Sequence, residues 1–277
     1  MESFNKRAFR PAILMIFLTM SALNQAQGQS MGIPESLGER IAFISQRYVG
    51  AEYNFSPLGE AQGIDPDPLI RFDQFDCTTF VETMGALALA PAPTPTLALP
   101  ILNQIRYHKG EIDFLKRNHF TSLEWIPHNI ELGVLVDATR TLFPNHYVTM
   151  KTDIDRGNWL KKNFKIETNF TVQQSTLDVL PIVTLLQNPE LLRKIPQGAV
   201  INFAVNNPEI KDRIGTDLDI THQGLAIWKG SKLYLRHAKG HSYGVIEELF
   251  TDYLQSRHFK GIYGISVTPF KSFYQVH

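Results

Sequence analysis

Short apolar runs separated by turn-forming residues fill the last third of the chain, and this pattern predicts consecutive strands. Apolar side chains dominate residues 198–204, 221–230 and 232–238, and Lys229-Gly230-Ser231 is a turn signal between the last two. A further apolar run over 261–267 predicts one more strand. We therefore expect an antiparallel sheet from about residue 198 onward.

Helical spacing is clearest after Cys77. Its apolar positions recur three and four residues apart: Phe80, Val81, Met84 and Leu87. The spacing predicts a helix that starts at Cys77 and ends before Pro91. We expect two further helices, over 36–48 and 245–254. Helices and strands in separate parts of the chain predict an α+β fold in a single domain.

Residues 91–194 lie between these regions and predict a large, mostly helical insertion. Four prolines near its start indicate a stiff exposed connection: Pro91, Pro93, Pro95 and Pro100. We expect a helix over 97–116, a strand over 147–151 and a helical stretch over 153–164. Residues 178–194 are expected to form a loop and a short helix.

The first residues have the features of a signal peptide. Lys6, Arg7 and Arg10 precede an apolar run over 12–23, which is shorter than the roughly 20 residues that span a bilayer. Ala26-Gln27-Gly28 then offers small residues where a signal peptidase cleaves. We expect residues 1–28 to be removed, leaving a mature chain of residues 29–277 that is exported, most simply to the periplasm.

Composition excludes several classes of protein. The chain of 277 residues is 43% hydrophobic and carries 27 basic and 27 acidic residues, so it is neither disordered nor basic enough to bind nucleic acid. No later stretch is long and apolar enough to span a membrane. A single cysteine excludes an intrachain disulfide and a cysteine-based metal cluster. We expect a soluble monomer.

Export changes the interpretation of Cys77, because a lone thiol in an oxidising compartment has no disulfide partner. It is either a buried, inert residue or a catalytic nucleophile. Asp76 precedes the helix as its N-cap, so Cys77 falls in the first turn, where free N–H groups and the helix dipole favour an anion. That position is expected to lower the thiol pKa and to supply donors for an acyl oxyanion. It favours acyl transfer by Cys77.

A thiolate nucleophile needs a histidine to exchange its proton and a third group to orient that ring. The chain has nine histidines, so one histidine alone proves little. His222 opens one predicted strand and His237 closes the next. In an antiparallel hairpin these ends lie side by side, and we expect the two rings to meet.

Five segments in order along the chain resemble NlpC/P60 cysteine peptidases. The helix start Asp76-Cys77-Thr78-Thr79-Phe80-Val81 is similar to their Asp-Cys-Ser-Gly-Phe-Val. His222-Gln-Gly-Leu-Ala-Ile and Leu235-Arg-His237-Ala resemble their two histidine strands. Ile195-Pro-Gln-Gly-Ala-Val-Ile-Asn-Phe203 resembles the strand before the first histidine, and Gly50-Ala-Glu-Tyr53 the segment whose tyrosine faces the nucleophile. The resemblance implies a papain-like fold, with the cysteine at a helix N-terminus packed on an antiparallel sheet.

Departures from that pattern narrow the resemblance. Thr78-Thr79 replaces Ser-Gly, and 145 positions separate Cys77 from His222. With the segments 105–110 and 118–129, the chain is similar to the DUF1460 branch, the N-acetylmuramoyl-L-alanine amidase-like proteins. This resemblance implies cleavage of the amide between the muramic lactyl group and L-Ala, with a preference for small anhydromuramyl fragments. The partner would be peptidoglycan or its muropeptide fragments, without a cofactor or a metal.

The resemblance assigns roles to the candidate residues. Cys77 would be the nucleophile, His222 the general base and then acid, and His237 the group that orients its ring. Tyr53 would assist near the oxyanion, or else be a half-buried core tyrosine.

Other polar and aromatic residues are candidates for substrate contact. Arg106 lies near the middle of the predicted 97–116 helix, and Asp76 lies beside the nucleophile. Trp125, His128 and Asn129 are expected in a polar-aromatic loop, a composition typical of a sugar-binding rim. Core packing is the alternative interpretation of Trp125.

The sequence leaves four alternatives open. Gly240-His-Ser-Tyr-Gly244 matches the nucleophile elbow G-x-S-x-G, which would make Ser242 the nucleophile, although only 33 residues follow Gly244. A zinc hydrolase would use His222, His237 or His241 with Asp217 or Asp219, but a His-Glu-x-x-His motif does not occur. A γ-D-glutamyl-diamino-acid endopeptidase of the stem peptide, or a non-catalytic wall-binding module, would also fit.

Overall fold

The computed structural model describes residues 32–256 and 261–272, so the predicted signal peptide 1–28 lies outside the described residues. A seven-stranded sheet, in the order β3-β4-β9-β5-β6-β7-β8, pairs antiparallel throughout. Its strands are β3 Val148–Ile154, β4 Gln173–Pro181, β5 Val200–Val205, β6 Ile220–Lys229, β7 Lys232–Ala238, β8 Val245–Leu249 and β9 Ile262–Thr268. A separate parallel pair consists of β1 Glu52–Tyr53 and β2 Gln74–Phe75.

Helices cover the sheet and connect its strands. The α-helices are Leu37–Ser45, Cys77–Leu89, Pro95–Arg106, Ile126–Glu131, Thr139–Leu142, Arg156–Phe164, Ile182–Gln187, Glu209–Ile214 and Phe250–Gln255. Short 3-10 turns occupy Gln46–Tyr48, His108–Gly110, Phe114–Lys116 and Pro189–Lys194, and a π-turn occupies Thr121–Trp125. In the part of the chain that the structure describes, no helix is long and apolar enough to cross a membrane.

Both faces of the central sheet are buried, as β5 shows. Val200 and Ala204 pack into the core beneath the Cys77–Leu89 helix, whereas Ile201 and Phe203 pack into a second core on the opposite face. Successive side chains of a strand point to opposite faces, so alternate residues of β5 enter the two cores. A strand that is covered on both sides is therefore expected to have a continuous apolar sequence. The mixed architecture with a large antiparallel sheet is consistent with the predicted α+β class.

Most predicted elements near the candidate site are confirmed. The first helix starts after Ser36, whose hydroxyl accepts a hydrogen bond from the Glu39 amide, and ends in a 3-10 turn at Tyr48. The helix that begins at Cys77 and the strands β5, β6, β7 and β9 are also present. Apolar periodicity and capping chemistry are local, so the sequence alone was enough to predict them.

The insertion over 91–194 is mostly helical, as predicted, but it also contributes two strands to the main sheet. Its strands β3 and β4 extend the main sheet, and β4 pairs with β9 through Leu180 and Pro181. The predicted strand over 147–151 extends to Ile154, and the residues expected to form a loop from position 178 complete β4. β4 joins the main sheet through β9, which lies about 85 residues further along the chain. The local sequence pattern does not reveal a partner at that distance.

The predicted helix over 97–116 is shorter at its C-terminus. It runs from Pro95 to Arg106, because Tyr107 takes an extended backbone conformation and Lys109 a left-handed one. Pro95 occupies the first turn, where its missing N–H has no cost, and Pro100 lies inside the helix. The connection expected to be stiff and exposed is therefore partly helical.

The predicted helix over 245–254 was wrong in its first half. Val245–Leu249 is strand β8, which pairs with β7 from Tyr234–Leu249 to Ala238–Val245, and the helix starts only at Phe250. Pairing with β7 outweighs the helical spacing, because this short segment completes the sheet edge. Because residues 245–249 form a strand and not a helix, Glu248 lies beside the candidate site.

Candidate active site

Cys77 is fixed at a helix start by reciprocal hydrogen bonds. The Asp76 carboxylate accepts from the Thr79 amide at 2.7 Å, and the Thr79 hydroxyl accepts from the Asp76 amide at 2.9 Å. This capping box orients the first turn and its amide groups, as predicted for Asp76. The other Asp76 oxygen accepts from the Ser56 amide at 3.0 Å. Asp76 lines the groove beside Cys77, but both of its oxygens are used to hold the backbone.

His222 and His237 meet at the end of the β6–β7 hairpin, as predicted. Nε2 of His222 lies 2.6 Å from Nδ1 of His237, and Nε2 of His237 lies 2.9 Å from an oxygen of Glu248. The Glu248 carboxylate can only accept, so His237 donates from Nε2 and its Nδ1 accepts from His222. Nδ1 of His222 is then the nitrogen whose lone pair can accept a proton.

Glu248 completes this hydrogen-bond chain, and the sequence did not indicate it as a site residue. It lies on β8 diagonally opposite His237, two positions along the paired strand from the residue facing that histidine. Lys239 also contacts the Glu248 carboxylate, at 2.9 Å. Burial alone would raise the pKa of Glu248, but the hydrogen bonds from His237 and Lys239 lower it overall, so the carboxylate is ionised. Only the pairing of β7 with β8 brings these groups together.

The expectation of a lowered Cys77 pKa was wrong. Burial and then the adjacent Asp76 carboxylate raise the pKa of the thiol to about 12, although the backbone amides of Gln223 and Thr78 lie against the sulfur and oppose the shift. Burial, with the neighbouring His237 and Lys239, lowers the pKa of His222 well below its ordinary value. Both groups are therefore neutral at pH 7, and the thiolate forms only when the proton moves to a base.

Cys77 and His222 line the same groove, which has a volume of about 600 Å³. The sulfur lies against the backbone of Gln223, the residue that follows His222 on β6. The first turn of the helix Cys77–Leu89 therefore supplies the thiol, and the start of β6 supplies the imidazole, to the same surface. This is the arrangement needed for a nucleophile and its base.

Tyr53 reaches the groove through the small parallel sheet. It pairs with Phe75, two residues before Cys77, and its ring contacts the His241 ring with a centroid separation of 4.8 Å. Burial, and then the charges that Cys77 and Asp76 can carry, raise the pKa of Tyr53 to about 12. Its hydroxyl is therefore protonated and can donate near the thiol.

Three candidates from the insertion form a buried polar network. The Glu82 carboxylate accepts from Nε of Arg106 at 2.8 Å and from the indole of Trp125 at 3.0 Å. The Asn129 amide donates to the carbonyl oxygens of Ile105 and Trp125. Trp125 and Asn129 are fully buried, so the prediction of a sugar-binding rim was wrong for them, and core packing of Trp125 is correct. Arg106 reaches the groove wall but is itself 3% exposed.

The competing nucleophile Ser242 lacks the context of an elbow. Gly240–Gly244 is a turn between β7 and β8, so a strand follows it where the elbow needs a helix. Gly244 has a φ of +65°, and a Cβ there would lie 2.3 Å from the Ala51 carbonyl oxygen. The glycine therefore serves the close approach of this turn to the residues before β1.

The residues considered for zinc are engaged elsewhere. Asp219 accepts hydrogen bonds from the hydroxyls of Ser122 and Ser175, and Asp217 pairs with Lys211. Within residues 32–256 and 261–272, no group of three His, Cys, Asp or Glu side chains has the geometry to hold a metal ion.

Comparison with known protein families gives a match over most of the chain. Residues 43–262 match the family AmiA-like, described as N-acetylmuramoyl-L-alanine amidase-like. A solved structure from Legionella pneumophila, assigned to DUF1460, is 27% identical with a TM-score of 0.80, over 95% of this chain and 96% of that one. An N-acetylmuramoyl-L-alanine amidase structure from Bacteroides uniformis is 25% identical with a TM-score of 0.69, over 85% of this chain and 99% of that one. A search of curated proteins finds no match.

Proposed function

Because this chain belongs to the AmiA-like family of N-acetylmuramoyl-L-alanine amidase-like proteins, we propose that it is a cysteine hydrolase of peptidoglycan fragments. It would cleave the amide between the lactyl group of muramic acid and L-Ala, preferring small anhydromuramyl fragments. One observation carries the proposal. The Cys77 thiol shares a groove with His222, whose ring is oriented by His237 and Glu248.

The hydrogen-bond chain selects the form of His222 that can act as a base. Glu248 holds the proton of His237 on Nε2, and His237 holds the proton of His222 on Nε2. Nδ1 of His222 therefore accepts the Cys77 proton as the sulfur attacks the lactyl carbonyl. The imidazolium that forms is stabilised through His237 by the Glu248 carboxylate, which offsets the cost of charging a buried ring.

The tetrahedral intermediate needs donors for its oxyanion. The amides of the first helical turn lie beside the Cys77 sulfur, and the protonated Tyr53 hydroxyl is a further donor. Collapse breaks the C–N bond, and His222 protonates the departing amine of L-Ala. Water, deprotonated by His222, then hydrolyses the thioester and returns the Cys77 thiol.

The pKa values of the resting pair fit this order of events. A thiol with a pKa raised to about 12 beside a neutral imidazole gives little free thiolate before substrate arrives. Proton transfer would therefore accompany the attack. A protonated resting thiol is also less readily oxidised than a thiolate, which suits an exported protein with a single cysteine.

The proposal includes export to the periplasm and a monomeric state. Export is supported by the sequence of residues 1–28, which has basic residues, an apolar run and small residues at the expected cleavage point. Export predicts that protein recovered from the periplasm begins at Gln29. A recovered protein that retains Met1 would contradict it.

Digestion of purified muropeptides, followed by mass spectrometry, tests the bond that is cut. Wild type and Cys77→Ala are compared on anhydromuropeptides and on muropeptides with an intact reducing sugar. We expect an intact stem peptide and a free muramyl sugar, faster from the anhydro substrate, with both products lost in Cys77→Ala. Melting curves of the two proteins confirm that the variant is folded.

Other products have distinct meanings. Cleavage within the stem peptide would replace the amidase with a γ-D-glutamyl-diamino-acid endopeptidase and keep Cys77. Full activity in Cys77→Ala would contradict the mechanism. Binding of muropeptides without cleavage by wild type would make the protein a wall-binding module.

A further inference from the structure

Three polar side chains form a buried row across the central sheet. Gln223 on β6 donates from Nε2 to Oδ1 of Asn202 on β5 at 2.7 Å, and Nδ2 of Asn202 donates to the Thr268 hydroxyl on β9 at 3.0 Å. Gln223 is 1% exposed, and the other two are fully buried. Burying an amide costs free energy that its hydrogen bonds only partly return. The proposed mechanism uses none of these side chains, so the row needs its own explanation.

The row lies on the face of the sheet that packs against the helix of the nucleophile. Val200 enters the core beneath that helix, and alternate residues of a strand share a face, so Asn202 points the same way. Gln223 is the residue of β6 that pairs with Asn202, whereas His222 pairs with Phe203. Phe203 belongs to the core on the opposite face. Gln223 and His222, neighbours in sequence, therefore point to opposite faces.

A β-bulge interrupts the pairing directly before His222. Phe203 pairs with His222, whereas the next residue of β5 pairs with Ile220. Thr221 is therefore the extra residue on β6. Ile220 packs into the core beneath the helix, so it lies on the opposite face from His222 although only one residue separates them. The bulge thus decides which face His222 occupies, a common use of bulges beside functional sites.

The amide pair fixes the register of β6 beside this bulge. One apolar side chain can replace another in a core at a modest cost, so the apolar neighbours specify the register weakly. The amides specify it strongly, because a shift of one residue would move Gln223 to the opposite core and separate it from Asn202. Both amides would then be buried without this hydrogen bond. Fixing a register is the best-attested role of buried polar groups.

The register of β6 determines two contacts at the candidate site. The backbone amide of Gln223 lies against the Cys77 sulfur, and His222 immediately precedes it. Nε2 of His222 lies 2.6 Å from Nδ1 of His237, and hydrogen bonds weaken steeply when their geometry is disturbed. A displacement of β6 would therefore disturb the surroundings of the thiol and of its base together.

The row is not arranged for the greatest stability. Among the described residues, none donates a hydrogen bond to Oε1 of Gln223, although this atom is buried. Replacing both partners of a buried polar pair by apolar groups of the same shape can be neutral or stabilising. An amide pair at this position therefore indicates a role other than stability.

We propose that Asn202 and the Gln223 side chain are positioning residues for the nucleophile and its base. Their hydrogen bond fixes the register of β6 beside the bulge. That register holds the Gln223 amide at the Cys77 sulfur and the His222 ring at its histidine partner. Both side chains are buried, so they act through the backbone of β6 and not by contact with substrate. The inference rests on the proposed function, because it concerns the geometry of the same thiol and imidazole.

An apolar replacement of the pair tests this role. Asn202→Leu combined with Gln223→Met keeps the approximate shapes and removes the hydrogen bond. We expect this double variant to melt close to wild type. We expect its kcat on a muropeptide to fall roughly 10- to 100-fold with KM nearly unchanged, since misplacing reacting groups by about 1 Å can cost about 100-fold. The exchanged pair, Asn202→Gln with Gln223→Asn, retains two amides and should recover a large part of kcat.

Asn129→Leu is the matched control. Asn129 is fully buried like Asn202, and its amide donates to the carbonyl oxygens of Ile105 and Trp125. We expect this change to lower the melting temperature and to leave kcat close to wild type. Equal losses of kcat in Asn129→Leu and in the apolar pair would reduce Asn202 to a structural residue and overturn the inference.

Nitrogen NMR shifts of the histidine rings separate this inference from the proposed function, because they report which ring nitrogen carries the proton. We expect His222, assigned by its loss in His222→Gln, to be protonated on Nε2 in wild type and to lose this preference in the apolar pair. If that pair does not fold, Gln223→Met alone gives the same comparison. A folded variant with wild-type shifts and wild-type kcat would overturn the inference. If wild type cleaves no muropeptide, the proposed function fails, and the shifts still decide the role of the pair.

Discussion

The Glu248 carboxylate accepts a hydrogen bond from Nε2 of His237 at 2.9 Å, and this contact determines which nitrogen of His222 can act as a base. Reversing the donor order along the chain would put a proton on Nδ1 of His222. The ring could then no longer accept the proton of Cys77. Glu248 therefore sets the proton position of His222, and under the proposed mechanism it acts on Cys77 through the two histidines.

Glu248→Gln should weaken this control. The amide can turn its NH₂ group toward His237, which favours the wrong proton position along the chain. We expect kcat to fall roughly 10- to 100-fold with little change in KM, as for partners of metal-ligating histidines. This is less than the roughly 10⁴-fold loss found where the carboxylate contacts the catalytic histidine directly, because Glu248 acts on His222 through His237. Steady-state kinetics on a muropeptide would measure it, and Glu248→Asp should recover part of the rate.

Glu247→Gln is the control for that experiment. Glu247 lies next to Glu248 on β8 but pairs with Arg236 and Lys229. We expect this change to lower the melting temperature and to leave kcat close to wild type. Equal losses of kcat in the two variants would show that Glu248 acts only through the stability of β8.

Alkylation of Cys77 should report the raised thiol pKa. Because that pKa is raised to about 12, the thiolate fraction at pH 7 is lower than in a free thiol. Iodoacetamide should therefore modify the resting protein more slowly than free cysteine, with a rate that keeps rising above pH 9. A rate that levels off below pH 7 would instead show a preformed thiolate–imidazolium pair.

The neutral histidines predict a loss of stability in acid. Burial lowers the pKa values of His119, His222 and His237, with that of His119 lowered to about 3, so below pH 6.5 the unfolded chain binds more protons than the folded one. The free energy of unfolding should thus fall as pH decreases from 6.5, by up to about 1.4 kcal/mol per pH unit for each such histidine. Urea denaturation between pH 7.5 and 4.5 would measure the slope. His119→Phe should reduce it, and an unchanged slope would contradict the assignment.

Substitutions of Arg106 and Glu82 should have strongly non-additive effects on the free energy of unfolding. Both side chains are nearly fully buried, and burial raises the pKa of Glu82 in spite of the Arg106 charge. Arg106→Met leaves that carboxylate without its counter-charge and should cost about 3–5 kcal/mol. Adding Glu82→Gln should restore much of this, because glutamine can still accept from the Trp125 indole. Urea denaturation of the four proteins would measure the coupling, and additive losses would contradict it.

Ser242→Ala should have no effect on turnover. Ser242 is exposed in the turn between β7 and β8, and the strand that follows excludes an elbow. We expect kcat/KM within about twofold of wild type, in line with the small effects of surface substitutions. Loss of activity comparable to that of Cys77→Ala would restore the serine hydrolase interpretation.

The sequence by itself determined the features that depend on near neighbours. The cap at Asp76, the helix that starts at Cys77, and the β6–β7 hairpin that brings His222 to His237 all follow from residues within a few positions of one another. Capping chemistry, apolar period and turn residues express the same local preferences in any context. The sequence therefore predicted that the His222 and His237 rings meet, and that Cys77 lies at a helix start.

Only the tertiary structure decided what depends on distant segments. Strand pairing converted residues 245–249 from a predicted helix to β8 and brought Glu248 to His237. Packing of the insertion buried Trp125 against Glu82, and solvent exclusion reversed the expected direction of the Cys77 pKa shift. The physical reason is common to all three: burial and electrostatic surroundings are set by contacts between residues far apart in the chain, and local periodicity contains no information about those partners.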